Sequence, residues 1–91
     1  MNNWLGCEVS AGMFSTEFAV TAQQFDGRSF SLFALIKDVR TEHEPNGTVV
    51  SGYLHVKPMK KRDDLVLVEL PQPSLEVGSI VTVKASQLQS L

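Results

Sequence analysis

Apolar residues recur at every second position along most of this chain, which is the spacing of half-buried β-strands and not of helices. Leu5, Cys7 and Val9 share one face of a first strand, with Gly6, Glu8 and Ser10 opposite. Phe14, Thr16, Phe18, Val20 and Ala22 form one face of a second. Phe30, Leu32, Ala34 and Ile36 do the same in a third, which runs from Arg28 to about Ile36. Beyond the solvated turn Glu42-His43-Glu44-Pro45-Asn46-Gly47, Val50, Leu54 and Val56 alternate against Val49, Tyr53 and His55 in a fourth. Lys57 to Asp64 reads as another turn, with Pro58 where no N–H is required. Leu65 to Leu70 is apolar on both faces until Glu69, which predicts a central or doubly covered strand that Pro71 stops. Gly78 introduces a sixth strand from Ile80 to Lys84, and Leu88 tucks beneath it on a short turn.

Asp26-Gly27 between the second and third runs is a hairpin signal, and the apolar pattern selects its loop length. A two-residue loop would set Val20 opposite Phe33 and turn Phe30 and Leu32 outward. A three-residue loop, Phe25-Asp26-Gly27, pairs Gln24 with Arg28, Ala22 with Phe30, Val20 with Leu32 and Phe18 with Ala34, giving one core face. Because a one-residue slip flips every side chain, burial selects the second register, with Gly27 in a left-handed conformation. Leu32, Leu35, Ile36 and Val39 also fall at helical spacing, but Asp38 to Glu44 is too polar to complete an amphipathic helix. The sequence therefore predicts strand there, with a helical turn around Lys37 to Arg40.

Turn residues at short intervals and 91 residues in all predict one all-β domain over 1–91. Six short antiparallel strands leave costly open edges, so the expected architecture is a small closed or partly open antiparallel barrel. The order of a long second and third strand, a polar loop, two further strands and a terminal Gly-x-x-Val-x-Val run resembles SH3-like barrels at the level of fold. The stretches Gly12 to Val20 and Asp26 to Phe33 resemble small uncharacterised bacterial proteins, some of the type found on mobile gene cassettes. That resemblance contains no chemical motif and implies no activity.

Val, Leu, Ile and Phe supply 28 of the 91 residues, enough to exclude disorder for most of the chain. Net charge is −2, which argues against a whole-molecule attraction to nucleic acid or an anionic membrane. No apolar run is long enough to span a bilayer, and Leu5-Gly6-Cys7 has no lipoprotein-signal region before it. Without a secretory signal, Asn46-Gly47-Thr48 reads as a turn and the expected location is cytoplasmic. A lone Cys7 makes no internal disulfide, and the usual zinc ligand sets are lacking. No cofactor is expected.

Candidate chemistry is sparse. A Cys7–His55 dyad requires both side chains on one face, whereas Cys7 alternates inward and His55 outward. Glu42 and Glu44 flank His43 in a pattern that binds divalent ions weakly, yet a solvated loop accounts for it. Lys57, Lys60, Lys61 and Arg62 put four of the eight basic residues within six positions, the candidate nucleic-acid contact. No aromatic side chain lies among them for base stacking, so a charged, solvated turn is the expected role. Phe33 and Leu35, with Val66 and Val68 or their neighbours, are the surplus apolar residues opposite the chosen core, the candidate interface of a homodimer. The leading expectation is a non-enzymatic binding or assembly module, with an unidentified protein as a possible partner. The alternatives are a nucleic-acid-binding barrel and a small oligomeric enzyme whose site, built from His55, Tyr53 or Thr82, forms only between subunits.

Overall fold

The computed structural model describes residues 2–91 and divides them into nine strands. These are β1 (Trp4–Ala11), β2 (Glu17–Gln23), β3 (Ser29–Leu35), β4 (Val39–Thr41), β5 (Val50–His55), β6 (Lys57–Arg62), β7 (Leu65–Ser74), β8 (Gly78–Lys84) and β9 (Leu88–Gln89). Single 3-10 turns, Ile36–Asp38 and Ala85–Gln87, precede β4 and β9. Among the described residues no helix is long and apolar enough to cross a membrane.

Two antiparallel sheets carry the fold. The first has the order β3-β2-β1-β5-β4, with β9 also pairing β1, and the second has the order β6-β7-β8. Of the expected closed or partly open barrel of about six strands, the closed form is corrected, because no continuous ladder joins the two sheets into a ring. The first sheet is nevertheless strongly coiled. A flat five-strand order would hold β3 and β4 about 19 Å apart at about 4.8 Å per strand. Only Ile36–Asp38 connects them, and a 3-10 turn rises about 2 Å per residue.

The two sheets meet at Val56, which is fully buried between β5 and β6 and donates its N–H to the Asn3 carbonyl at 2.9 Å. On the far side isolated hydrogen bonds replace a ladder. The Phe25 N–H reaches the Thr82 carbonyl at 2.9 Å, and the Leu75 N–H reaches the Ser31 carbonyl at 2.8 Å. Ser31 in turn donates its own N–H to a Glu76 carboxylate oxygen at 2.8 Å. Inward side chains from both sheets fill the space between them: Leu5, Val9, Val20, Phe30, Leu32 and Leu54 from the first, Val68 and Val83 from the second.

The β2–β3 hairpin has the predicted register, with Phe18, Val20 and Ala22 opposite Ala34, Leu32 and Phe30. Gln24 donates its N–H to the Arg28 carbonyl at 2.9 Å, and Gly27 has φ 86°. The second sheet departs from expectation. Lys57–Arg62 is a strand and not a turn, leaving only Asp63 and Asp64 to reverse the chain, with Asp63 at φ 56°. Pro58 is tolerated because β6 is an edge strand, paired with β7 alone. Pro71 does not stop β7, which continues to Ser74 with its register to β8 broken between Glu69 and Ser74. The Ser74 hydroxyl closes that turn, donating to the Gly78 carbonyl at 2.8 Å and accepting the Val77 N–H at 2.9 Å. Leu88 is buried as expected.

Candidate functional site

The basic cluster owes its geometry to one irregularity. Pro58 pairs with Val68 and Lys60 with Leu67, so Met59 is an extra, unpaired residue in β6. In a regular strand Lys57 and Lys60 would point to opposite faces. The bulge brings them to the same one. Val66 and Val68 are buried, so their cross-strand partners Lys61 and Pro58 stand on the inner side. Lys57, Lys60 and Arg62 pair with Glu69, Leu67 and Leu65 and stand on the outer side. The same reasoning carries across to β8, where Ile80, Thr82 and Lys84 oppose Glu69, Leu67 and Leu65.

The outer face of the second sheet is therefore three rows of three: Lys57-Glu69-Ile80, Lys60-Leu67-Thr82 and Arg62-Leu65-Lys84. Four cations and one carboxylate surround a centre of half-buried Leu65 and Leu67, with Ile80 47% exposed beside it. The face carries +3, which leaves −5 for the rest of a molecule of net −2. Among the described residues the one ion pair is Arg28 to Asp26 at 2.7 Å, so none of these cations is neutralised by an internal partner. Asp63 and Asp64 lie beyond the last row and make no ion pair with it.

Of the four predicted basic contacts, three converge on this face. Lys61 instead stands opposite buried Val66 on the inner side and borders a shallow groove of about 400 Å³ with Met59, Val66 and Leu88, a groove that Lys60 also reaches. Lys84 was missed, although its alternation with Ile80 and Thr82 is visible in the sequence, because its neighbours depend on the β7–β8 register. Val66 and Val68 are corrected as interface residues, because they are in the core and Leu65 and Leu67 are their outward neighbours. Phe33 and Leu35 remain on the surface, 36% and 38% exposed, on β3, the outermost strand of its sheet, whose Ser31 is already bonded to Leu75 and Glu76.

A second concavity, of about 850 Å³, lies across β1, β4 and β5 and is bordered by Cys7, Arg40, His43, Ser51, Tyr53 and Leu91. The Arg40 guanidinium rests 4.5 Å from the centre of the Trp4 ring, which is itself buried and meets His55 edge-on at 4.9 Å. Asn3 Nδ2 and His55 Nε2 lie 3.2 Å apart. Burial pushes the Cys7 thiol up to about 12, with the neighbouring Glu8 charge adding to the effect, so the sulfur stays protonated and is a poor nucleophile. β1 and β5 are adjacent, but Cys7 is opposite Gly52 while His55 is opposite Trp4, and the dyad does not assemble. Thr82 stands on the other sheet, away from Tyr53 and His55. Glu42, His43 and Glu44 share an exposed loop, and no group of three His, Cys, Asp or Glu side chains among the described residues is placed to hold a metal.

No protein-family model, curated protein or solved structure matches this chain, so both surfaces are read from their own geometry.

Proposed function

We propose that this protein is a non-enzymatic binding module, a partly open SH3-like barrel, whose contact surface is the outer face of β6, β7 and β8. The observation that carries the reading is the bulge at Met59, which gathers Lys57, Lys60 and Arg62 on one side around Leu65, Leu67 and Ile80. An apolar centre inside a charged rim is the anatomy of a protein contact surface. Coiling of the first sheet and the isolated hydrogen bonds across the gap support the partly open barrel. The protonated Cys7 thiol in the larger concavity supports binding over covalent chemistry. Polyglutamate at low salt is the direct probe. Wild-type protein is expected to bind it with an affinity that falls as salt rises, and the variant carrying Lys57→Glu, Lys60→Glu and Arg62→Glu to lose that binding while keeping its circular dichroism spectrum. Equal affinity for both proteins would sink the reading.

A second reading, self-association through β3, rests on a separate observation. Beyond Ser31, whose N–H and carbonyl are taken by Glu76 and Leu75, the edge strand β3 leaves Phe33 and Leu35 exposed, continuing into Ile36, 45% exposed. A free strand edge lined by apolar side chains is a template for pairing with another copy. Sedimentation at micromolar concentration is expected to detect a dimer that Phe33→Glu abolishes. A monomer-sized species alone removes the idea.

A further inference from the structure

We infer that the β6–β7–β8 face takes an acidic peptide segment that carries an apolar side chain among its carboxylates, an inference that rests on the reading of that face as the contact surface. The first argument is where docking can occur. Strand addition to the free edge of β6 is obstructed, because Pro58 offers no N–H, Met59 breaks the ladder spacing, and lysines line the edge. The β8 edge is engaged where the Phe25 N–H reaches the Thr82 carbonyl, so the open surface of this sheet is its outer face.

The second argument is size. Three strands about 4.8 Å apart and three rows about 6.8 Å apart give a patch roughly 10 Å by 14 Å, the span of about four or five extended residues. A longer polyanion gains no further cationic partners from its overhang, because the rest of the molecule sums to −5. An anionic bilayer would be opposed by that same net charge. A short segment presents its charge only where the cations are.

The third argument is chemistry. Arg62 and Lys84 flank Leu65 in the last row, and Lys60 borders Leu67 in the middle one. Carboxylates satisfy the cations, but they leave the two leucines and Ile80 wet unless an apolar group covers them. None of the nine outward positions is aromatic, so a nucleic acid would find phosphate contacts without a stacking platform. Among these ligands, a peptide with both carboxylates and an aliphatic or aromatic side chain matches the four cations and the apolar centre together, with its carboxylates held away from Glu69 in the first row.

The test uses fluorescence anisotropy with four probes: a capped, labelled peptide of Glu and Asp with two central Leu residues, the same peptide with both Leu replaced by Ser, a labelled thymidine oligonucleotide, and vesicles containing phosphatidylserine. The leucine peptide is expected to bind at least tenfold tighter than the serine peptide and tighter than the other two probes. Leu67→Gln is expected to erase the leucine advantage while leaving the salt dependence in place. The neutral variant Lys57→Gln, Lys60→Gln and Arg62→Gln, which keeps most of each side-chain stem, is expected to weaken both peptides alike. Equal affinity for the two peptides, or tighter binding of oligonucleotide or vesicles, would overturn the partner class while the charged face stands. No salt-dependent binding of any of the four would overturn the face itself, and the inference with it.

Discussion

The concavity across β1, β4 and β5 and the face of β6, β7 and β8 contrast in what they hold. The concavity brings together a thiol, an imidazole, a phenol, a guanidinium and a carboxylate, yet its thiol is kept protonated and its guanidinium lies over Trp4. The face has few kinds of side chain, and strand register repeats them in ordered rows. Variety of functional groups does not make a site without convergence, whereas a ladder imposes spacing on residues as plain as Lys and Leu.

The sharpest way to break the comparison is to reverse charge on each side. Lys57→Glu, Lys60→Glu and Arg62→Glu together should weaken polyglutamate binding by about a hundredfold, while Arg40→Glu in the concavity should change it by less than twofold. Comparable losses would mean that the two surfaces are not distinct. Stability should show the opposite asymmetry. A Cβ on Gly52 would stand 2.7 Å from the Arg40 carbonyl and 2.9 Å from Val9, so Gly52→Val forces β4 away from β5. We expect a loss of about 2 to 3 kcal/mol by chemical denaturation, with peptide binding retained below the new transition.

Cys7 supplies a smaller, pH-dependent effect. Its pKa is raised in the folded state, so its contribution to stability is full below pH 9.0 and declines as pH rises toward about 12, where the unfolded chain ionises first. Cys7→Ala should flatten that decline, and iodoacetamide should modify the native thiol near pH 8 far more slowly than the unfolded one. The smallest effect belongs to the β2–β3 hairpin. The Arg28 backbone N–H, 3.2 Å from Asp26 Oδ1, holds this carboxyl below its ordinary 3.8, with the Arg28 side chain reinforcing it. A lowered carboxyl pKa gives stability that is present above 3.8 and lost as pH falls through the folded value. Asp26→Asn should therefore lower the midpoint slightly at pH 7, and the difference from the wild type should disappear as pH falls below the folded value.

The two hairpins also differ in how legible they were. Between Phe18 and Ala34 every inward position is apolar, so only one register buries Phe30 and Leu32 together, and Gly27 marks the left-handed residue of the loop. In β6 the outward residues are lysines and arginine, which hide a strand behind the composition of a turn. Nothing in Lys57-Pro58-Met59-Lys60 announces that Met59 is the unpaired residue. Lys84 joins the face through a pairing with Leu65 across β7 and β8, a long-range fact that alternation within one strand does not contain. Pro71 reads as a stop, yet β7 passes it because its ladder to β8 is already interrupted beyond Glu69. The single reliable negative was Cys7 with His55, because facing along a strand follows from residue parity alone.

Backbone amide shifts of the isotope-labelled protein, followed by NMR as the leucine-containing acidic peptide is added, test the central claim most directly. The account predicts that the largest changes fall on Lys57, Lys60, Arg62, Leu65, Leu67, Ile80, Thr82 and Lys84. Changes gathered instead at Arg40, His43 and Tyr53 would contradict it, and would move the contact surface to the concavity on the other sheet.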